Sequence, residues 1–179
     1  MKKFFLIFLA AITILALTAC GSSSEAPSDT SEPDANQESE TTPAEEEKTY
    51  GIGDTWTVDG QWSFTIDSVE PTDERNEFEE TDPAQVVVIH YNYENLGYED
   101  KDGIMDGLFI EPYSAIDSDG NMCKTYPVEV EYAQETPVGA KCAASIAFGL
   151  IKEGSPVTIP IEMYDGNGKK QTAKYVLEF

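Results

Sequence analysis

Few side chains in this chain have the types and spacing for chemistry. Glu99, Asp100, Asp102 and Asp106 are wound around Gly103 and present oxygen atoms at alternating positions about a glycine turn. Ca²⁺ takes about six to eight oxygen ligands, so this loop is a candidate calcium site. It lacks the third alternating ligand before the glycine and the distal glutamate of an EF-hand loop, and a solvated loop between strands is the simpler reading. The stretch Asp117-Ser118-Asp119-Gly120-Asn121 is explained by turn chemistry, because Asp, Asn and Gly tolerate the left-handed region. Cys123 and Cys142 would pair outside the cytoplasm if their strands are neighbours, closing a loop of about 19 residues for about 3 kcal/mol; two free thiols are the alternative. His90 is the only histidine and sits inside an apolar strand pattern, as a packed or rim residue does. No Gly-x-Ser-x-Gly or comparable nucleophile motif accompanies it, so the chain reads as non-enzymatic.

Cys20 has a different chemistry. Met1-Lys2-Lys3 leads into an apolar run over 4–17, broken only by Thr13. A cationic start and about 7–15 apolar residues form a secretory signal, whereas a spanning helix needs about 20. The run closes on Leu17-Thr18-Ala19-Cys20-Gly21, which resembles the lipobox of bacterial prolipoproteins. The resemblance implies a signal peptide over 1–19, removed before Cys20, and a diacylglyceryl group on the Cys20 thiol. One acyl chain holds a membrane only marginally and two hold it durably.

Residues 20–48 then form a tether. From 21 to 48 there is no Val, Ile, Leu, Met, Phe, Tyr or Trp, and nine acids are present. Such a segment has no apolar surface whose burial would offset the loss of chain entropy, so it reads as disordered. As a flexible coil it would reach about 30 Å. Residues 49–179 carry 25 acids against 8 bases, a net charge of −17. That surface repels phosphate backbones, which excludes nucleic acid as a partner.

Residues 49–179 have the length of one core and alternate with period two between Gly, Asp, Asn and Pro clusters. Strands are expected over 55–58, 62–69, 85–93, 108–116, 122–130, 140–150, 156–164 and 171–179. The 85–93 segment is apolar on both faces near its start, as in a central strand covered on two sides. No stretch keeps a helical period; a short helical turn is plausible only within 71–83. Seven to eight short strands point to an all-β sandwich.

The layout carries a further resemblance. It runs from Tyr50-Gly51-Ile52-Gly53-Asp54 through a Trp-containing hairpin and the strand V-V-V-I-H-Y-N-Y-E-N. The D-S-D-G-N turn, a P-V-G-A-K entry into a strand ending Ala147-Phe148-Gly149-Leu150, and a C-terminal hairpin follow. This resembles the domain of unknown function on many Gram-positive surface lipoproteins, with the telokin-like immunoglobulin fold of immunoprotective extracellular proteins. It implies an immunoglobulin-like sandwich in which Asn95, Asp119, Gly120, Gly139 and Phe148 are turn and core residues. The lipobox, the tether and the absent catalytic constellation point to a lipid-anchored protein on the outer face of the cytoplasmic membrane that binds a surface protein, a glycan or a phage component. The alternatives are a calcium-binding surface module using the 99–106 loop and a phage-exclusion lipoprotein by analogy.

Overall fold

The computed structural model describes Lys48–Phe179. The expected signal peptide (1–19), the lipidated Cys20 and the tether before Lys48 lie outside the described residues. Among the described residues there are nine strands and no helix. They are β1 (Thr49–Tyr50), β2 (Thr55–Val58), β3 (Trp62–Thr72), β4 (Gln85–Asn95), β5 (Ala115–Ile116), β6 (Met122–Thr125), β7 (Lys141–Leu150), β8 (Val157–Tyr164) and β9 (Lys170–Leu177).

The hydrogen-bonded order is β1-β9-β8-β5-β6-β7-β4-β3-β2. It folds over at β6, which pairs with β5 through Ala115↔Cys123 and with β7 through Lys124↔Gly149. The two halves face each other as a β-sandwich around one core: β2-β3-β4-β7 on one side, β1-β9-β8-β5 on the other. At the opposite edge the chain steps from β1 to β2 through a tight turn. There Gly53 donates to the Ile66 carbonyl at 2.8 Å and the Asp54 carboxylate accepts from the Gly51 amide at 2.7 Å.

Period-two alternation decides which side chains meet inside. Trp62, Phe64 and Ile66 of β3 are fully buried while Ser63, Thr65 and Asp67 face out. A bulge between Ile66 and Ser68 then shifts the phase, so Val69 returns to the core where strict alternation would expose it. Ile89, Tyr91 and Tyr93 of β4 and Phe148 of β7 meet Ile159 of β8 and Tyr175 of β9 in one cluster. Each large apolar side chain contributes about 1.5–3 kcal/mol on burial. The Tyr175 hydroxyl donates to the carbonyls of Phe64 (3.0 Å) and Asp54 (3.1 Å), tying the sheets together. Burial pushes its pKa upward. The outer side of β4 is also covered near its start, where Val86 packs with Tyr126 and Ala147.

Two expected strands are shorter than their patterns. Of 108–116 only Ala115–Ile116 forms a strand, and of 122–130 only Met122–Thr125. Pro112 and Pro127 lie in the lost portions, and proline has no amide hydrogen for a ladder. Leu108 and Ile110 are still fully buried, so the alternation reported burial rather than pairing. Leu108 makes a lone antiparallel bridge to Thr136. The ninth strand, β1, was absent from the expected set because two residues carry no period. β3 runs on to Thr72 and a loop follows, with one turn closed by the Glu79 amide on the Asn76 carbonyl at 3.1 Å.

Candidate binding face

Asp100, Asp117 and Asp165 open three turns of one design, written D-x-[DN]-G in the sequence. In each, the carboxylate accepts the amides two and four residues on: Asp102 (3.1 Å) and Ile104 (2.9 Å), Asp119 (3.0 Å) and Asn121 (2.9 Å), Asn167 (2.9 Å) and Lys169 (3.0 Å). The glycine in each has a positive φ, 64° at Gly103, 84° at Gly120 and 77° at Gly168, and donates back to the aspartate carbonyl. The Met105 amide, with those of Asp102 and Ile104, holds the Asp100 carboxyl below its usual range. At Asp117 burial pushes the pKa up, but hydrogen bonds from Asn121, Lys152 and Asp119 outweigh it, and the net shift is downward. In the 99–106 loop the Asp100 carboxylate thus serves the loop's own amides. The Asp106 amide is taken by Glu135 Oε2 at 2.8 Å. Glu99, Asp100, Asp102 and Asp106 are not brought together, and among the described residues no three acidic, His or Cys side chains converge on a metal position.

Of the two states open to Cys123 and Cys142, the fold has the unbridged one. Both thiols are free. Cys123 precedes Lys124, which pairs with Gly149 at the far end of β7, whereas Cys142 is the second residue of that strand. About seven or eight residues of extended strand, roughly 25 Å, separate them. His90 lies on the outer face of β4, opposite Ser68 and Ser145, and the Ser145 hydroxyl is occupied by the Glu131 amide at 2.9 Å.

The feature that sequence reasoning missed is on the other sheet. β8 and β9 pair as Pro160↔Lys174, Glu162↔Thr172 and Tyr164↔Lys170, so these exposed side chains share the outer face. β1 joins in parallel, with Thr49 beside Lys174, and so brings Lys48 to the same edge. Lys48 Nζ lies 4.8 Å from the centre of the Tyr50 ring, which stacks on Tyr175 with ring centres 5.2 Å apart. The result is a hollow of about 800 Å³ lined by Lys48, Lys169, Lys170 and Lys174, with Glu162 the one acid in its wall among the described residues. Glu162 pairs with Lys170 and raises its pKa through their hydrogen bond. Nine basic residues lie from Lys48 onward, and four of them line this one hollow. The signal for it was the run Lys169-Lys170-Gln171-Thr172-Ala173-Lys174, a Lys-x-Thr-x-Lys stripe at strand period in an otherwise acidic chain.

Fold and face define a small all-β sandwich with a basic hollow on one sheet. No family model matches the chain, and no curated protein is similar to it. Among solved structures, the yjhA protein from Bacillus subtilis is similar at 12% identity and a TM-score of 0.49, covering 70% of this chain and 98% of that one. MPT63, a secreted protein from Mycobacterium tuberculosis, is similar at 13% identity and a TM-score of 0.48, covering 76% of this chain and 100% of that one.

Proposed function

We propose that this protein is a non-catalytic binding module, displayed on the outer face of the cytoplasmic membrane by a diacylglyceryl group on Cys20 and a tether ending near Lys48. Its ligand lies on the hollow of the β8–β9 face. The observation that supports this reading is the gathering of four of nine bases around one concavity in a domain dominated by acids. At physiological ionic strength charges are screened beyond about 8 Å, so a ligand in the hollow responds to the local lysines more than to the distant carboxylates. A volume of about 800 Å³ is within the range of ligand-sized sites.

The test uses the full lipoprotein in detergent and protein-stripped cell envelopes. Lys169→Gln/Lys174→Gln lowers envelope binding, while Lys124→Gln/Lys152→Gln, with the same change in net charge, leaves it intact. Equal binding by the wild type and the Lys169/Lys174 variant would remove the face from the reading. Cys20→Ala releases the protein from the membrane fraction; retention of that variant would count against the anchor.

A further inference from the structure

We infer that the β8–β9 hollow binds a linear phosphodiester polymer without bases, of the polyol-phosphate kind, laid along the strands. The inference rests on the binding reading above and adds the chemistry of the ligand.

The arrangement of the lysines argues for a chain rather than a single anion. Lys48 and Lys174 form one end of the strip, through the parallel pairing of Thr49 with Lys174. Lys169 and Lys170 form the other. Four residues of strand separate Lys170 from Lys174, about 13 Å. One tetrahedral anion cannot span that distance. There is also no guanidinium fork in the wall to close on a single phosphate. Thr172 lies between the two lysine pairs on the same outward face and supplies a hydroxyl midway. Evenly spaced charges joined by a flexible neutral link satisfy all three positions together.

The shape and lining select among phosphodiester sources. A bilayer surface is broad and meets protruding bases, whereas these lysines rim a concavity. Single-stranded nucleic acid is held by aromatic platforms as well as by charge. The aromatic side chain in this wall is Tyr50, which is buried and already stacked on Tyr175. The strip reads a charged backbone, and the exposed ring on this face, Tyr164, stands beside Lys170 at one end as a single ring rather than a run of stacking platforms.

The experiment is a calorimetric titration of the full lipoprotein in detergent with poly(glycerol phosphate), repeated over a series of salt concentrations. Lys170 is partly neutralised by Glu162, which leaves three lysines to displace counterions. The log–log salt slope is then about −2, falling to about −1 in Lys169→Gln/Lys174→Gln. That variant binds about ten- to thirtyfold more weakly. Lys124→Gln/Lys152→Gln keeps the wild-type affinity and slope. Parallel titrations use phosphatidylglycerol vesicles and an oligothymidylate. Binding of either at least as tight as the polymer overturns the inference in favour of a lipid surface or nucleic acid. If the polymer does not bind while envelope binding still depends on Lys169 and Lys174, the ligand class is wrong and the face stands. If envelope binding is indifferent to those lysines as well, the face itself fails.

Discussion

The Tyr93 hydroxyl is held at both of its hydrogen-bonding functions by one residue, donating to the Gln134 carbonyl and accepting from the Gln134 amide at 3.2 Å. Forty-one positions of chain separate the two. The contact fastens the long connection between β6 and β7 to the middle of the sandwich. Burial, first among the causes, pushes the Tyr93 pKa up to about 12. Its neighbour Tyr91, stacked near it with ring centres 6.4 Å apart, has a buried hydroxyl with no protein partner.

These neighbours should respond oppositely to loss of the hydroxyl. Tyr93→Phe takes the partner from the Gln134 amide, while the Gln134 carbonyl keeps the Thr136 hydroxyl at 2.8 Å, and costs about 1 kcal/mol in urea unfolding. Tyr91→Phe removes an unsatisfied group and leaves stability equal or higher. A Tyr91→Phe loss as large as that of Tyr93→Phe would contradict this assignment.

Asp117 is almost fully buried and accepts from the amides of Asp119, Asn121 and Lys152, the last at 2.8 Å, and from the Asn121 side chain. Its pKa is depressed in the fold, so its stabilisation is present above the ordinary carboxylate value of about 3.9 and fades as pH falls through the lower, folded value. Asp117→Asn should cost about 1–3 kcal/mol at neutral pH, since hydrogen bonds to a charged group are lost. The gap from wild type should narrow below about pH 4. A gap that stayed constant down to pH 2.5 would show that the charge contributes nothing.

Two glycines separate steric closeness from backbone conformation. A Cβ on Gly107 would stand 2.5 Å from the Thr136 carbonyl oxygen and 2.9 Å from its amide nitrogen, at the bridge that Leu108 makes with Thr136. A Cβ on Gly103 would meet open space, and only its φ of +64° opposes a side chain. Gly107→Ala should therefore cost about 2–3 kcal/mol by overpacking and Gly103→Ala about 1 kcal/mol, read from denaturant midpoints. The reverse order would refute the placement of Gly107 against Thr136.

The three aspartate-led turns predict the response to divalent cations. Millimolar Ca²⁺ and Mg²⁺ should raise the thermal midpoint by equal amounts, through screening of a surface with many more acids than bases. Asp100→Asn should leave that equality unchanged. A Ca²⁺-specific rise, reversed by EDTA and abolished in Asp100→Asn, would restore the calcium reading of the 99–106 loop.

Much of the fold was legible because alternation reports burial directly. The paired extents of β3, β4, β7, β8 and β9 lie close to the segments read from the pattern. The ends were less legible: Leu108 and Ile110 alternate like a strand because the core needs them, while Pro112 prevents the pairing that would make one. The bulge before Val69 and the two-residue β1 left no periodic trace. The candidate site was hidden for another reason, since a net charge averages over the surface and conceals where the bases lie.

By itself the sequence determined the class of fold, because side-chain period and turn residues act within a few positions of one another. It also determined the three D-x-[DN]-G turns, where the aspartate and the glycine are neighbours in the chain. Only the tertiary structure decided which distant segments meet. Parallel pairing of β1 with β9 carries Lys48 to Lys174. The register of β6 on β7 sets Cys123 and Cys142 near opposite ends of β7. The physical reason is that these relations depend on register and handedness between strands far apart in the chain, which no local pattern specifies.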